Sequence, residues 1–153
     1  MPIPRVTATV DLSAVRHNLS RVRALAPASK VMAAIKADGY GHGAVPVAQA
    51  LADAGVDAFA VACLEEAVTL RDAGIGTRIA LLEGVLSRDE AIEAAALGLE
   101  IVIHDRWQLD LLASLGADAP LAVWFKLDSG MHRLGFPLAE ARSLNEALRA
   151  HPN

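Results

Sequence analysis

Two short stretches carry side chains suited to chemistry. AIKADGYGHG, residues 34–43, ends an apolar run on Lys36 and continues through Asp38, Tyr40 and His42. WFKLDSGMHRLG, residues 124–135, follows Lys126 with Asp128, Met131 and Arg133. Residues two apart in a strand share a face. Met32, Ala34 and Lys36 therefore point one way, and Val31, Ala33 and Ile35 the other. In the second stretch Ala122, Trp124, Lys126 and Asp128 share a face, opposite Val123, Phe125 and Leu127. A buried amine without a partner is costly to keep charged, so its pKa is expected to fall toward the reactive neutral form. Such an amine can form a Schiff base. The plainer alternative is that Lys36 snorkels, with its charge in water. If helices cover the opposite faces, both lysines point inward at the C-terminal ends of their strands, and with Arg133 they would concentrate positive charge at one rim. An anionic group is then expected there: a phosphate, a carboxylate or a modified lysine. Asp38 and Asp128 contribute if they reach; the alternative is a surface pair of Asp128 with Arg133. Tyr40 could donate its hydroxyl to a phosphate oxygen, and His42 could cap the following helix, line the pocket or face solvent.

Other residue types offer less. The histidines at 17, 42, 104, 132 and 151 have no ligand-like spacing with one another or with Cys63, so no metal site is expected. Cys63 follows the apolar FAVA, and a buried small apolar role is expected for it. The alternative is a nucleophile, because helix N-termini lower thiol pKa values.

The elements that must position these residues are short and regular. Strands are expected at 31–37, 57–62, 78–84, 100–105 and 121–127. Helices are expected at about 44–54, 64–73, from Ser87 to near Gly98, after Asp105, and at 138–150. Pro46 suits a first turn, Gly55 and Gly74 suit helix ends, and Ser87 with Glu90 forms a capping box. VTATV, 6–10, reads as an extra strand, followed by a helix with Leu12, Val15, Leu19 and Val22 on one stripe. Apolar strands recurring about every twenty residues between helices of about ten residues mean parallel βα units. The candidates are a doubly wound open sheet and a (β/α) barrel. G-Y-G-H-G lacks the glycine spacing of a dinucleotide loop, which favours the barrel. Five units are visible where a barrel needs eight, so the chain reads as the N-terminal part of a longer protein.

Composition sets the outer bounds. The chain has 153 residues, 54% hydrophobic and 21% charged, with net charge -4, and a mean hydropathy of +0.35. That suits one well-packed soluble domain and argues against nucleic-acid or anionic-membrane partners. One cysteine leaves no internal disulfide framework, so a reducing, cytoplasmic setting is expected. No basic-then-apolar leader opens the chain, and no run reaches the roughly 18–20 apolar residues of a membrane span.

IKADGYGHG and WFKLDSGMHRLGF resemble the two N-terminal signatures of the alanine racemase family, fold-type III enzymes that use pyridoxal 5'-phosphate (PLP). DLSAVRHNL, 11–19, and FAVACLEEAVTLRDAGI, 59–75, match the same family, so the resemblance spans essentially the whole chain. It implies an α/β fold, a PLP-binding (β/α)8 TIM-like barrel, here only partial at about five βα units plus an extra N-terminal strand. Residues 1–12 would then be a strand associated with a C-terminal β-domain absent from this chain, and 13–153 the N-terminal part of the barrel. Lys36 would be the catalytic lysine that carries PLP and then acts as a base on one face of the substrate Cα. Tyr40 would contact the cofactor phosphate. Lys126 matches a lysine that is often carbamylated. Arg133 matches an arginine that binds the cofactor's phenolic oxygen and contacts substrate, and Met131 a residue near the substrate. A carbamate would turn Lys126 from positive to negative and relieve the crowding of cations. Gly39 departs from the family, which more often has alanine there; it adds backbone freedom and removes no functional group.

The activity implied is interconversion of L- and D-alanine in a cytoplasmic bacterial homodimer, for peptidoglycan or for alanine catabolism. The partners would be a small amino acid, with no nucleic acid and no membrane. In the family the opposite-face base is a tyrosine of the other subunit's β-domain, so this chain alone is expected to be inactive. Three alternatives stand beside this one. The first is a non-racemase PLP-binding barrel of vitamin B6 homeostasis, which would not be expected to carry KLDSGMHRLG. The second is a racemase of another amino acid, such as serine. The third is a non-catalytic domain with structural lysines.

Overall fold

In this computed structural model of the protein, residues 6–115 and 119–149 are described. Five short strands form one parallel sheet: β1 (Met32–Ala34), β2 (Ala58–Val61), β3 (Arg78–Leu81), β4 (Glu100–Ile103) and β5 (Ala122–Phe125). Their order in the sheet is their order in the chain. A doubly wound sheet reverses direction partway, whereas a barrel adds each strand on the same side. The sheet is therefore an arc of a barrel, with β1 and β5 at its ends.

Helices Ala44–Asp53, Leu64–Asp72, Arg88–Ala96 and Arg106–Ala113 make the crossovers. Their ends follow the sequence signals. Ser87 Oγ accepts from the Glu90 N–H at 3.2 Å, and Asp105 caps the next helix through the Trp107 N–H at 3.4 Å. The first helix, Leu12–Leu25, is capped by Asp11, whose carboxylate takes the Ser13 and Ala14 amides.

The core fills the space between sheet and helices. Phe59, Val61, Ile79, Leu81, Ile101 and Ile103 are buried on the outward face. They pack in one cluster with Leu64, Leu70, Ala91, Ala94 and Leu112. The alternate residues face the concave side. There Glu100 is 6% exposed and accepts from Arg78 Nε at 2.5 Å and Trp124 Nε1 at 2.6 Å. Burial pushes this carboxyl up, but the Arg78 and Trp124 bonds outweigh it and hold its pKa below the ordinary value. Above this network the concave face is open, and Met32 and Trp124 are 38% and 46% exposed.

Several boundaries differ from the sequence reading. The first strand, expected over 31–37, ends at Ala34, because residues 37–40 leave extended geometry altogether. The fifth ends at Phe125; Leu127–Asp128 (β6) turns away to pair with Phe136–Pro137 (β7). Residues 6–10, expected as a strand, are exposed and form none. A strand needs a neighbour to take its N–H and C=O groups, and none among the described residues pairs with this segment. The last helix runs Ala141–Arg149 after a 3-10 turn at Leu138–Glu140; Ala150 lies outside the described residues. No helix among the described residues is long and apolar enough to cross a membrane.

Candidate active site

Lys36, Lys126 and Arg133 line one cavity of about 420 Å³ at the C-terminal rim of the arc. Strand parity explains the two lysines: each follows concave-facing residues of its strand by a step of two. Neighbouring strand ends complete the wall. Ala62, Leu82, Leu86 and Leu134 are its apolar part, and Glu83 and His104 its further polar part. Lys36 and Lys126 are half-buried rather than buried, because the concave face is open beside them.

The backbone after Lys36 is the least ordinary part of the molecule. Ala37, Asp38, Gly39 and Tyr40 are all left-handed, with φ of 51°, 53°, 63° and 54°. For the three non-glycine residues this costs about 1 kcal/mol or more each. Hydrogen bonds offset that cost. The Gly39 N–H donates to the Ile35 carbonyl at 2.8 Å, and the Gly43 N–H to the Asp38 carbonyl at 2.9 Å. Asp38 Oδ1 accepts from the Ala44 N–H at 2.7 Å, at the start of the following helix. His42 Nδ1 lies 3.0 Å and 3.1 Å from the carbonyls of Gly39 and Tyr40, so this nitrogen carries the proton and closes the turn. His42 thus closes the turn before it and does not cap the following helix, whose first N–H, that of Ala44, is taken by Asp38. Glu66, half-buried in the helix Leu64–Asp72, accepts from the Ala37 N–H and the Ala62 N–H, each at 2.7 Å.

The segment after Lys126 is built differently. The Lys126 N–H donates to the Ile103 carbonyl and its carbonyl accepts from the Phe136 N–H, both at 2.9 Å. Between them Asp128 folds the loop on itself. Its Oδ1 takes the amides of Gly130 and His132 at 2.9 Å and 3.0 Å, and its Oδ2 meets His132 Nδ1 at 2.8 Å. The amides of His132 and then Gly130 hold the Asp128 carboxyl down at about 2. Asp128 therefore pairs with His132 and not with Arg133, which leaves the guanidinium to the cavity. Phe136 anchors the loop's far end edge-on to Phe125, with ring centroids 5.9 Å apart.

The remaining expected residues divide. Tyr40 and Met131 are 59% and 76% exposed and lie outside the cavity wall. Asp38 and Asp128 serve their own loops. Cys63 is half-buried, and burial, then Glu65, pushes its thiol up, which opposes a nucleophile's role. Two polar wall residues were missed, Glu83 and His104. The His104 signal was available, since Glu100, Val102 and His104 alternate onto the same face as the lysines. Its backbone N–H donates to Gln108 at 2.9 Å, and its Nε2 lies 3.1 Å from the Glu83 carbonyl. Among the described residues no cluster of three or more metal-ligating side chains occurs.

The cavity suits a small anionic carbonyl compound. A primary amine stands in its wall to take an aldehyde, cationic groups to hold negative charge, and leucines to lie against a ring. PLP has these features, so the residues present fit it.

Residues 10–153 match the family model described as "Alanine racemase, N-terminal domain". The alanine racemase of Thioalkalivibrio sulfidiphilus is 51% identical over 146 residues, covering 95% of this chain and 40% of that enzyme. The crystal structure of biosynthetic alanine racemase from Pseudomonas aeruginosa superposes with a TM-score of 0.87 at 48% identity, over 94% of this chain and 40% of that one. A histidine racemase from Leuconostoc mesenteroides superposes at 0.81 with 29% identity, over 92% of this chain and 38% of that one. The chain thus spans about 40% of the length of the proteins it matches.

Proposed function

The chain belongs to the alanine racemase N-terminal domain family, and from that premise we propose that it is the PLP-anchoring part of an isomerase that interconverts L- and D-alanine. The observation that carries this reading is the convergence of Lys36, Lys126 and Arg133 on one cavity. When bound, PLP supplies an aldehyde for covalent attachment and a ring that takes up electrons as a substrate loses its Cα proton. The residues of this chain do the rest of the work on their side. The Lys36 amine would hold the cofactor covalently and, when free, would take or return the Cα proton on its own face. The Arg133 guanidinium, which lines the same cavity, would hold the cofactor's phenolic oxygen and orient substrate. Lys126, carried as a carbamate, faces Arg133 with negative charge and fixes it. Tyr40, outside the cavity wall, would reach in to donate its hydroxyl to the phosphate, and Met131 would lie near the substrate. Leu82, Leu86 and Leu134 would give the cofactor ring an apolar wall to lie against.

The proposal places the other functions outside these 153 residues. The remaining barrel strands would cover the open concave face and the outer edges of β1 and β5. Residues 1–12 would join a β-domain, while 13–153 belong to the barrel. The opposite-face base would come from that domain of a second subunit, so the working protein is a homodimer, cytoplasmic, and makes or consumes D-alanine. A racemase for another amino acid is the second reading. The likeness to a histidine racemase favours keeping it, because the same frame serves that enzyme too.

Adding PLP to the full-length protein, reducing with borohydride and mapping the labelled peptide tests the central claim. The label is expected on Lys36; a label elsewhere, or none, sinks the reading. Racemisation of alanine, serine and histidine measured side by side then decides the substrate. Extra mass on the Lys126 side chain supports the carbamate, and a bare amine in the holoprotein removes it.

A further inference from the structure

We infer that Glu66 is a positioning residue for Lys36: its carboxylate takes the place of two rungs of the β1–β2 ladder and so sets where the strand stops and the amine is presented. This rests on the reading of Lys36 as the lysine that carries PLP.

The register makes the substitution visible. Ala34 pairs with Ala60, and the Ile35 N–H donates to the Ala60 carbonyl at 2.9 Å, the last regular rung. A parallel ladder would continue with the Ala62 N–H to the Ile35 carbonyl, then the Ala37 N–H to the Ala62 carbonyl. Here the acceptors are spoken for. The Ile35 carbonyl takes the Gly39 N–H at 2.8 Å, and the Ala62 carbonyl takes the Glu83 N–H at 3.2 Å. The two displaced donors both go to Glu66, Ala37 to Oε1 and Ala62 to Oε2, at 2.7 Å each. Lys36 therefore sits between the last backbone rung and the clamp, and Ala62 stands with it in the cavity wall. The other end of the strand is tied in the same way, since Asp57 Oδ2 accepts from the Val31 N–H at 2.8 Å.

Only a carboxylate fits this place. It offers two acceptor oxygens to two amides, whereas a glutamine amide offers one acceptor and turns an N–H donor toward the other amide. Without the clamp, the Ala37 amide loses its partner and the left-handed turn loses its first restraint. The strand is then free to run on toward Ala62, which would carry the Lys36 side chain away from the cavity.

The test uses the full-length protein, stripped of PLP and then given PLP again. Capture at Lys36 is followed by borohydride trapping and peptide mass, per folded molecule. Glu66→Gln is expected to slow capture about tenfold, while Glu65→Gln, an exposed change one residue away, stays within about twofold. Glu66→Asp keeps both acceptors on a shorter arm and should recover part of the loss. A purely structural role would lower Tm but leave capture by the folded molecules at the wild-type rate, and that result overturns the inference. Should Glu66→Gln fail to fold, amide exchange in the wild-type holoprotein decides. Joint protection of Ala37 and Ala62 supports the clamp, and free-loop exchange at either amide overturns it. Wild-type protein that captures no PLP at Lys36 would bring down the proposed function and this inference together. Normal wild-type capture with an unaffected Glu66→Gln brings down this inference alone.

Discussion

The two lysine-bearing strand ends have the same parity and the same destination, yet they are held by opposite means. After Lys36 the chain enters a left-handed turn whose first amide is bound by Glu66, 29 residues away in sequence. After Lys126 the chain folds around its own Asp128, which binds partners two and four residues on. The first device is a tertiary contact and the second a local one. A residue fixed from a distance depends on the packing of another βα unit, whereas one fixed locally depends on the steric fit of its own loop. The glycines follow suit. A Cβ at Gly39 would stand 3.4 Å from Ala44 backbone atoms, an ordinary contact. At Gly135, with φ of 118°, it would stand 2.9 Å from the Asp128 nitrogen and 3.0 Å from the Lys126 carbonyl oxygen.

The contrast can be broken most forcefully at Gly135. Gly135→Ala should destabilise the protein by about 2 kcal/mol or more, because backbone rather than a flexible side chain must give way. It should also weaken PLP binding, since Lys126 and Arg133 flank the displaced segment. Chemical denaturation and a PLP titration measure the two effects, and wild-type values for both would refute the steric argument. Gly39→Ala should cost about 1 kcal/mol, the penalty of one more left-handed alanine, with Lys36 still labelled by PLP. A loss as large as that of Gly135→Ala would erase the distinction between the two ends.

The smallest effect is confined to the second loop and appears in acid. Folding lowers the Asp128 pKa from 3.8 to about 2. Its contribution to stability is therefore full above 3.8 and is lost as pH falls toward about 2. The amide signals of Gly130 and His132 should shift together across that window. Asp128→Asn keeps the oxygen that binds both amides and cannot titrate, so it should abolish the transition while leaving the turn in place. A persistent transition in that variant would assign it to another group.

Much of the frame was legible in the sequence. Alternation placed Lys36 and Lys126 on the concave face, and recurring strands, Ser87 and Asp105 marked the βα units. Glu66 was legible only as an acidic residue in a helix's first turn. Nothing in its neighbourhood announces that its carboxylate completes another strand's end. The left-handed run was hidden for a related reason: Gly39 and Gly41 invite positive φ, but Ala37 does not, and its conformation is held by contacts made elsewhere. Residues 6–10 show the converse, a strand-like pattern that forms no strand where the described residues supply no partner.

The sequence by itself determined the faces, because side-chain alternation is a property of each strand alone, and it determined the chemistry available: amine, guanidinium and hydroxyl. Only the tertiary structure decided where the first strand ends, which cations share the cavity, and that Asp128 turns to His132 rather than Arg133. Those outcomes depend on which donor finds which acceptor across separate βα units, or on the curl of one loop in three dimensions. For the strand end and the shared cavity, no local pattern encodes the choice until the sheet is assembled.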